Sequence, residues 1–180
     1  MTGETAPPAY PIVTDPRVLA QVSRETSRKE IDATGIAEIM RLAMARAWTD
    51  SVGLAAIQVG VPIRFAIWRP KGKPETWLVN PEIVEASESI QFHGEGCLSV
   101  PGRWFQTWRY GRIKFLNDVD GRGRKEVFEL TGLEAFIVQH EIDHMDGILC
   151  GARLKKPTDP GPNESCPCGS GRKWKRCCRP

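Results

Sequence analysis

The sequence predicts an α+β domain with a small appended tail. Three observations lead to this. Two stretches of helical period flank a block of short strand-like runs instead of alternating with them. The 180-residue chain is 41% apolar, which allows one compact core. Its last residues combine prolines, glycines and four cysteines with too few apolar side chains to form a core of their own.

Taken in order, residues 1–24 read as irregular, with Asp15-Pro16 as a turn signal. Ser27-Arg28-Lys29-Glu30 has the form of a capping box. Ile36, Ile39, Met40, Ala43, Met44 and Ala47 follow at helical spacing and predict a helix to about Trp48, with Gly35 weakening its first turns. The glycine-containing SVGLAAIQVG reads as a loop. Strand-like runs then occupy Arg64–Arg69, Thr76–Asn80, Ile83–Ala86 and Ile113–Asp118, and Gly121-Arg122-Gly123 turns the chain into a hairpin with Lys125–Leu130. Leu98-Ser99-Val100 reads as a short strand that Pro101 ends. Thr131-Gly132-Leu133-Glu134 is a second capping box, opening a helix that Gly147 closes. KKPTDPGPN reads as a linker, which predicts three segments: a catalytic unit at 1–154, the linker at 155–163 and the tail at 164–180.

The net charge of +3 sits in the tail. From Lys156 onward the basic residues Lys156, Arg172, Lys173, Lys175, Arg176 and Arg179 face only Asp159 and Glu164. The opening MTGETAPPAYPIVTDP has no apolar stretch behind a basic start, so no secretory leader is expected. No apolar run approaches the ~18 residues of a membrane span. A cytoplasmic protein is expected, where six cysteines point to metal ligands more than to disulfides.

The chemistry concentrates in VQHEIDHMDGILC, Val138 to Cys150. His140 and His144 are four apart and share one helix face, so both imidazoles can reach one ion. Glu141 lies about 100° round the helix, which suits a base acting on a metal's water and not on the metal. A third ligand is needed, and two cysteines offer one. Cys150 would complete a pattern of the metzincin proteases with cysteine for the last histidine, but no methionine follows Met145 to form their methionine turn. Glu164 could imitate the distal glutamate of another protease class, but it sits in the cysteine tail. Cys97 lies in HGEGCLSVPG, where Gly96 permits close backbone approach.

GLAAIQVG, EGCLSVPG and QHEIDHMDG, in this order, resemble the three signature motifs of peptide deformylases, and the resemblance runs from about Ile12 to Leu154. It implies antiparallel or mixed sheets around a central metal-binding helix. It implies Cys97, His140 and His144 as metal ligands with water as the fourth, and Fe(II) as the working ion, with zinc, nickel or cobalt able to replace it. The implied reaction removes the formyl group from the formyl-methionine of nascent polypeptides. Glu141 would be the proton carrier, and the Gln58 amide and Leu98 backbone N–H would donate to the formyl oxygen. Gly53 would leave room for the small acyl group, and Gln139 would support the site. Asp143 would orient a ligand histidine, and Glu95 and Arg109 would brace the cysteine segment as a charge pair. Val52, Leu133, Phe136 and Ile137 match positions lining the methionine pocket. His93 stands at a pocket position where the family has an aliphatic residue and would either make the pocket more polar or face solvent, while Ser51 and Ile57 replace a frequent glycine and proline. These departures would support one rival reading, a retired deformylase fold kept as a binding module. A zinc protease using Cys150 is the other.

The tail NESCPCGSGRKWKRCCRP carries Cys166, Cys168, Cys177 and Cys178, four thiolates suited to a tetrahedral zinc. It resembles the SEC-C motif, a zinc module associated with export partners and ribosomes. Arg172, Lys173, Lys175 and Arg176 surround Trp174, a pairing able to hold RNA phosphate and stack on a base. Docking to a ribosome, its rRNA or an export partner is therefore expected of the tail.

Overall fold

The computed structural model describes residues 11–47, 51–154, 163, 172–173 and 176. Cys166, Cys168, Cys177 and Cys178 lie outside the described residues, as does most of the linker. The described elements run α1 (Pro16–Leu19), α2 (Arg28–Thr34), α3 (Ile36–Ala47), β1 (Gly53–Ala55), β2 (Phe65–Trp68), β3 (Thr76–Val79), β4 (Glu82–Gly96), β5 (Trp104–Asp118), β6 (Lys125–Thr131) and α4 (Gly132–Met145). Short 3-10 turns occupy Ala56–Val59 and Cys150–Arg153. No described helix is long and apolar enough to cross a membrane.

Two antiparallel three-stranded sheets, β1-β2-β3 and β4-β5-β6, share α4 as their common packing partner. The fold is α+β. Strand β2, Phe-Ala-Ile-Trp, is buried on both faces, which explains its unbroken apolar run. Ala66 and Trp68 face the cluster that holds Ala135, Val138, Ile142 and Met145 of α4. Phe65 and Ile67 face the opposite way, onto Ile36, Met40 and Met44 of α3. Asn117 of β5 stitches the sheets together, accepting from the Val79 N–H at 2.8 Å and donating to the Trp77 carbonyl at 3.0 Å.

Local chemistry accounts for several boundaries that differ from the sequence reading. Asp15 caps α1 by accepting from the Arg17 N–H at 2.9 Å, and Pro16 takes the first helical position, so the segment read as irregular contains a helical turn. Ser27 caps α2, but Gly35 at φ 62° adopts the left-handed conformation and separates α2 from α3. The SVGLAAIQVG segment is not a loop: it forms β1 and the 3-10 turn at Ala56–Val59. Leu98–Val100 is a turn, closed by the Val100 N–H on the Cys97 carbonyl at 2.9 Å, and not a strand. Thr131 makes no side-chain cap at α4, and Glu134 pairs with Lys73, 3.4 Å away.

Helix α4 is buried along most of its length, including Gln139, His140, Glu141, Asp143 and His144. Five polar side chains inside a core are destabilising unless each finds a partner. Their partners define the site.

Candidate metal centre

His140 and His144 lie one turn apart on α4, and Cys97 follows the last residue of β4. The Nε2 atoms of the two histidines are 3.2 Å apart, and Cys97 Sγ is 3.2 Å from His144 Nε2. All three ligating atoms fall within 4.8 Å of one another. A tetrahedral ion with bonds of about 2.0–2.3 Å spaces its nitrogen and sulfur ligands about 3.3–3.6 Å apart, close to what these side chains adopt. Two imidazoles and a thiolate also form a donor set suited to iron, zinc, nickel or cobalt.

Glu95 fixes the orientation of His140. Its Oε1 lies 2.7 Å from His140 Nδ1, so an Nδ1–H donated there leaves the Nε2 lone pair facing Cys97 and His144. Glu95 is itself held by Arg109, through Nε at 2.8 Å and Nη2 at 2.5 Å, and by the Thr107 hydroxyl at 2.5 Å. Arg109 reaches on to Asp143 at 2.5 Å, and both Asp143 oxygens accept from Arg153. Glu95 and Arg109 thus form a buried, two-pronged ion pair. Asp143 binds two arginines, so it does not orient a ligand histidine directly; Glu95 has that contact. Gln139 clips α4 to β5, where β6 stops pairing at Arg112: it accepts from the Tyr110 N–H at 2.9 Å and donates to the Tyr110 carbonyl at 2.8 Å.

The protonation landscape follows from this geometry. Burial works against a charged His140, but Cys97, Glu95 and Glu141 around it push it up to about 10. A hydrogen bond from Cys150, and then the two histidines, hold the Cys97 thiol far below the usual thiol range. His144 is shifted down, chiefly by burial. Burial pushes Glu141 up to about 8, with negative charge at Cys97 and Glu95 adding to the shift. Glu141 Oε2 is buried without a hydrogen-bond partner among the described residues, a free acceptor beside the cluster.

Gly53 makes room for this carboxylate. A Cβ built there would lie 2.3 Å from Glu141 Oε1, so the space read as room for an acyl group is filled by Glu141. The Gln58 side chain is locked by the Ala55 N–H on its Oε1 at 2.9 Å. Its Nε2 points to Ser99 Oγ at 3.1 Å and to Cys97 Sγ at 3.7 Å. Leu98 follows Cys97 directly, packed against the α3 cluster.

Among the residues matched to a substrate pocket, Phe136 sits one turn before His140, while Val52 and Leu133 are exposed and Ile137 is partly buried. His93 departs from that pattern. Gly94 at φ 90° makes a bulge in β4, and the register slips between His93 and Glu95. The extra residue reverses the alternation, so His93 is exposed and meets Gln106 at 2.9 Å. Phe92 takes the inward face instead, its ring 4.8 Å from that of Phe136. Sequence reading missed Phe92, although the glycine three residues before Cys97 signals the bulge. It also missed Thr107, Ser99 and Arg153, which contribute only through the fold. Ser51 bonds back to the Met44 carbonyl and Ile57 is fully buried in the core, so neither substitution intrudes on the cluster.

Cys150 lies behind His140, 3.7 Å from Nδ1, and donates to Glu95 at 3.3 Å. Glu95, His140 and Cys150 also form a compact group of donors. There, however, the carboxylate is already neutralised by Arg109, and the hydrogen bond to Cys97, then burial, keep the Cys150 thiol protonated.

Comparison with known proteins agrees with this arrangement. The family model described as polypeptide deformylase matches residues 9–159, and the SEC-C motif matches residues 163–180. A peptide deformylase of Mesorhizobium japonicum is 37% identical over 144 residues, covering 77% of this chain and 78% of its own length. One of Brucella suis is 39% identical over 142 residues, covering 77% and 79%. The crystal structure of the Thermotoga maritima peptide deformylase superposes with a TM-score of 0.72 at 34% identity, covering 82% of this chain and 99% of its own. From motif to fold to donor cluster, the chain belongs to the polypeptide deformylase family, metal-dependent hydrolases that remove the N-formyl group from nascent polypeptides.

Proposed function

We propose that Cys97, His140 and His144 hold the catalytic metal of this deformylase, with ferrous iron as the working ion and zinc, nickel or cobalt as substitutes. The observation that carries this reading is the convergence of their three donor atoms within 4.8 Å, with Glu141 Oε2 buried and unpartnered among the described residues. When bound, the metal supplies Lewis acidity, making water a nucleophile at neutral pH. Glu141 takes the proton from the attacking water and returns it to the departing amine. As the formyl carbon is attacked, negative charge grows on the formyl oxygen. The Gln58 Nε2–H and the Leu98 backbone N–H donate to it, each worth about 2.7–4 kcal/mol of transition-state stabilisation. Gly53 keeps the Glu141 carboxylate close to the reacting water. Val52, Phe92, Leu133, Phe136 and Ile137 receive the methionine side chain. Formate release from a formyl-methionyl peptide by anaerobically Fe(II)-loaded protein, beside Glu141→Ala, tests the reading. Turnover lost in the variant supports it. Bound metal with no formate release from either protein would mark a retired binding module.

The chain divides, on this reading, into a catalytic unit at 1–154, a linker at 155–163 and a tail at 164–180. In the tail, Cys166, Cys168, Cys177 and Cys178 hold a structural zinc, and the basic residues around Trp174 dock the enzyme in the cytoplasm to a ribosome or an export partner. Deleting 164–180 leaves turnover of a short formyl-peptide intact and weakens ribosome co-sedimentation. Unchanged co-sedimentation refutes ribosome docking.

A further inference from the structure

We propose that Arg153 is a positioning residue of the metal centre, acting through Asp143, Arg109 and Glu95 on the ring of His140. The proposal rests on the reading of Cys97, His140 and His144 as the ligands. Four residue pairs, joined by six hydrogen bonds, form the relay. Arg153 Nε donates to Asp143 Oδ2 at 2.9 Å, and Arg153 Nη2 donates to Asp143 Oδ1. Arg109 Nη1 donates to the same Asp143 Oδ2 at 2.5 Å. Arg109 grips Glu95 through two nitrogens, and Glu95 Oε1 meets His140 Nδ1 at 2.7 Å.

Charge balance gives Arg153 its part. Glu95, Arg109 and Asp143 are all buried, with exposures of 5%, 3% and 6%. Alone, Arg109 would divide one positive charge between two carboxylates and leave one buried negative charge unmatched. Arg153 matches Asp143, which frees Arg109 for the two-pronged grip that squares Glu95 against His140. The same 3-10 turn carries Cys150, whose thiol also donates to Glu95 Oε1 at 3.3 Å. The turn at Cys150–Arg153 thus closes over the Nδ1 edge of the His140 ring, where Glu95 binds. Groups that orient a ligand histidine in this way alter metal affinity about 10–100-fold when removed.

The test uses the full chain loaded with Co(II), whose visible bands report ligand geometry. Arg153→Leu is expected to weaken Co(II) affinity, read by chelator competition, about 10–100-fold and to shift the ligand-field bands. Arg153→Lys keeps the charge but loses the two-pronged grip on Asp143, so it is expected to recover only part of the affinity that leucine loses. An Arg153→Leu protein with a lowered Tm but unchanged affinity and spectrum would overturn the proposal, since a brace that matters only for folding gives that result. A lysine variant no better than leucine would overturn the charge-balance mechanism. If Arg153→Leu fails to fold, Asp143→Asn keeps the shape and breaks the same link, and its unchanged affinity overturns the proposal equally. Cys97→Ser separates the two layers. Retention of the thiolate-to-cobalt charge-transfer band in that variant overturns the ligand set, and this relay with it.

Discussion

Gly53 and Glu141 approach so closely that no side chain fits between them: a Cβ on Gly53 would lie 2.3 Å from Glu141 Oε1 and 2.9 Å from its carboxyl carbon. The glycine is in a strand, where its lack of a side chain lets β1 press against α4. Gly53→Ala must push the carboxylate aside. A displacement near 1 Å in a catalytic group can lower rate about 100-fold, so kcat should fall by that order while metal content stays near that of the parent. Steady-state kinetics with metal analysis checks this. A variant that turns over at the parent rate would mean that the Glu141 position does not govern proton transfer.

Phe92 and His93 give opposite expectations because of the bulge at Gly94. Phe92→Ala removes the ring that packs on Phe136 one turn before His140. Losing an aromatic pair of about 0.5–1.5 kcal/mol, together with its apolar wall, should lower kcat/KM for a formyl-methionyl peptide several-fold, mainly through KM. His93→Ala exposes nothing new and should leave both constants unchanged. The reverse pattern, with His93 sensitive and Phe92 silent, would mean that the strand carries the other face inward when substrate binds.

How legible was this arrangement in the sequence? Where a side-chain pattern is forced by burial, it was readable. The β2 run was apolar because both of its faces are covered, and His140 and His144 had to share a helix face by period alone. Strands β4 and β5 were found only in part, since each extends over 15 residues while their outer halves alternate with charged and exposed side chains. Backbone pairing holds that ribbon together, and it leaves little hydrophobic period to detect. The long-range partners of Glu95 were partly legible through Arg109. Thr107 and Arg153 were not, because an ion-pair relay depends on which loops meet behind α4. For His93 the sequence left a polar pocket wall and an exposed side chain both open, and the choice turns on geometry: one left-handed glycine reverses the parity of the strand.

Cys97 and Cys150 adjoin both His140 and each other, yet they should respond differently to replacement. Cys97→Ala removes a ligand and should abolish stable metal binding. Cys150→Ala removes a donor to Glu95, the contact with Cys97 and a small buried thiol but no metal ligand, so a stability loss of about 1 kcal/mol is expected with metal retained. Metal analysis after dialysis, beside urea unfolding, distinguishes these outcomes. Loss of metal from the Cys150 variant with retention in the Cys97 variant would shift the centre to the Glu95, His140 and Cys150 group.

Glu141 should also leave a signature in the pH dependence of the metal-free protein. A glutamate ordinarily titrates at about 4.3, whereas burial raises this one to about 8. Between those values the folded chain keeps a proton that the unfolded chain has released. Stability must therefore fall as pH rises through this window, and the contribution is fully present only below the lower value. Glu141→Gln holds a neutral amide at every pH and removes the decline. The variant should match the parent near pH 4.5 and exceed it near pH 8 by something on the order of a few kcal/mol, as expected when a buried functional charge is neutralised. Urea unfolding of both metal-free proteins across that range measures the difference. Parallel curves would show that the buried carboxylate has no raised proton affinity in the metal-free protein.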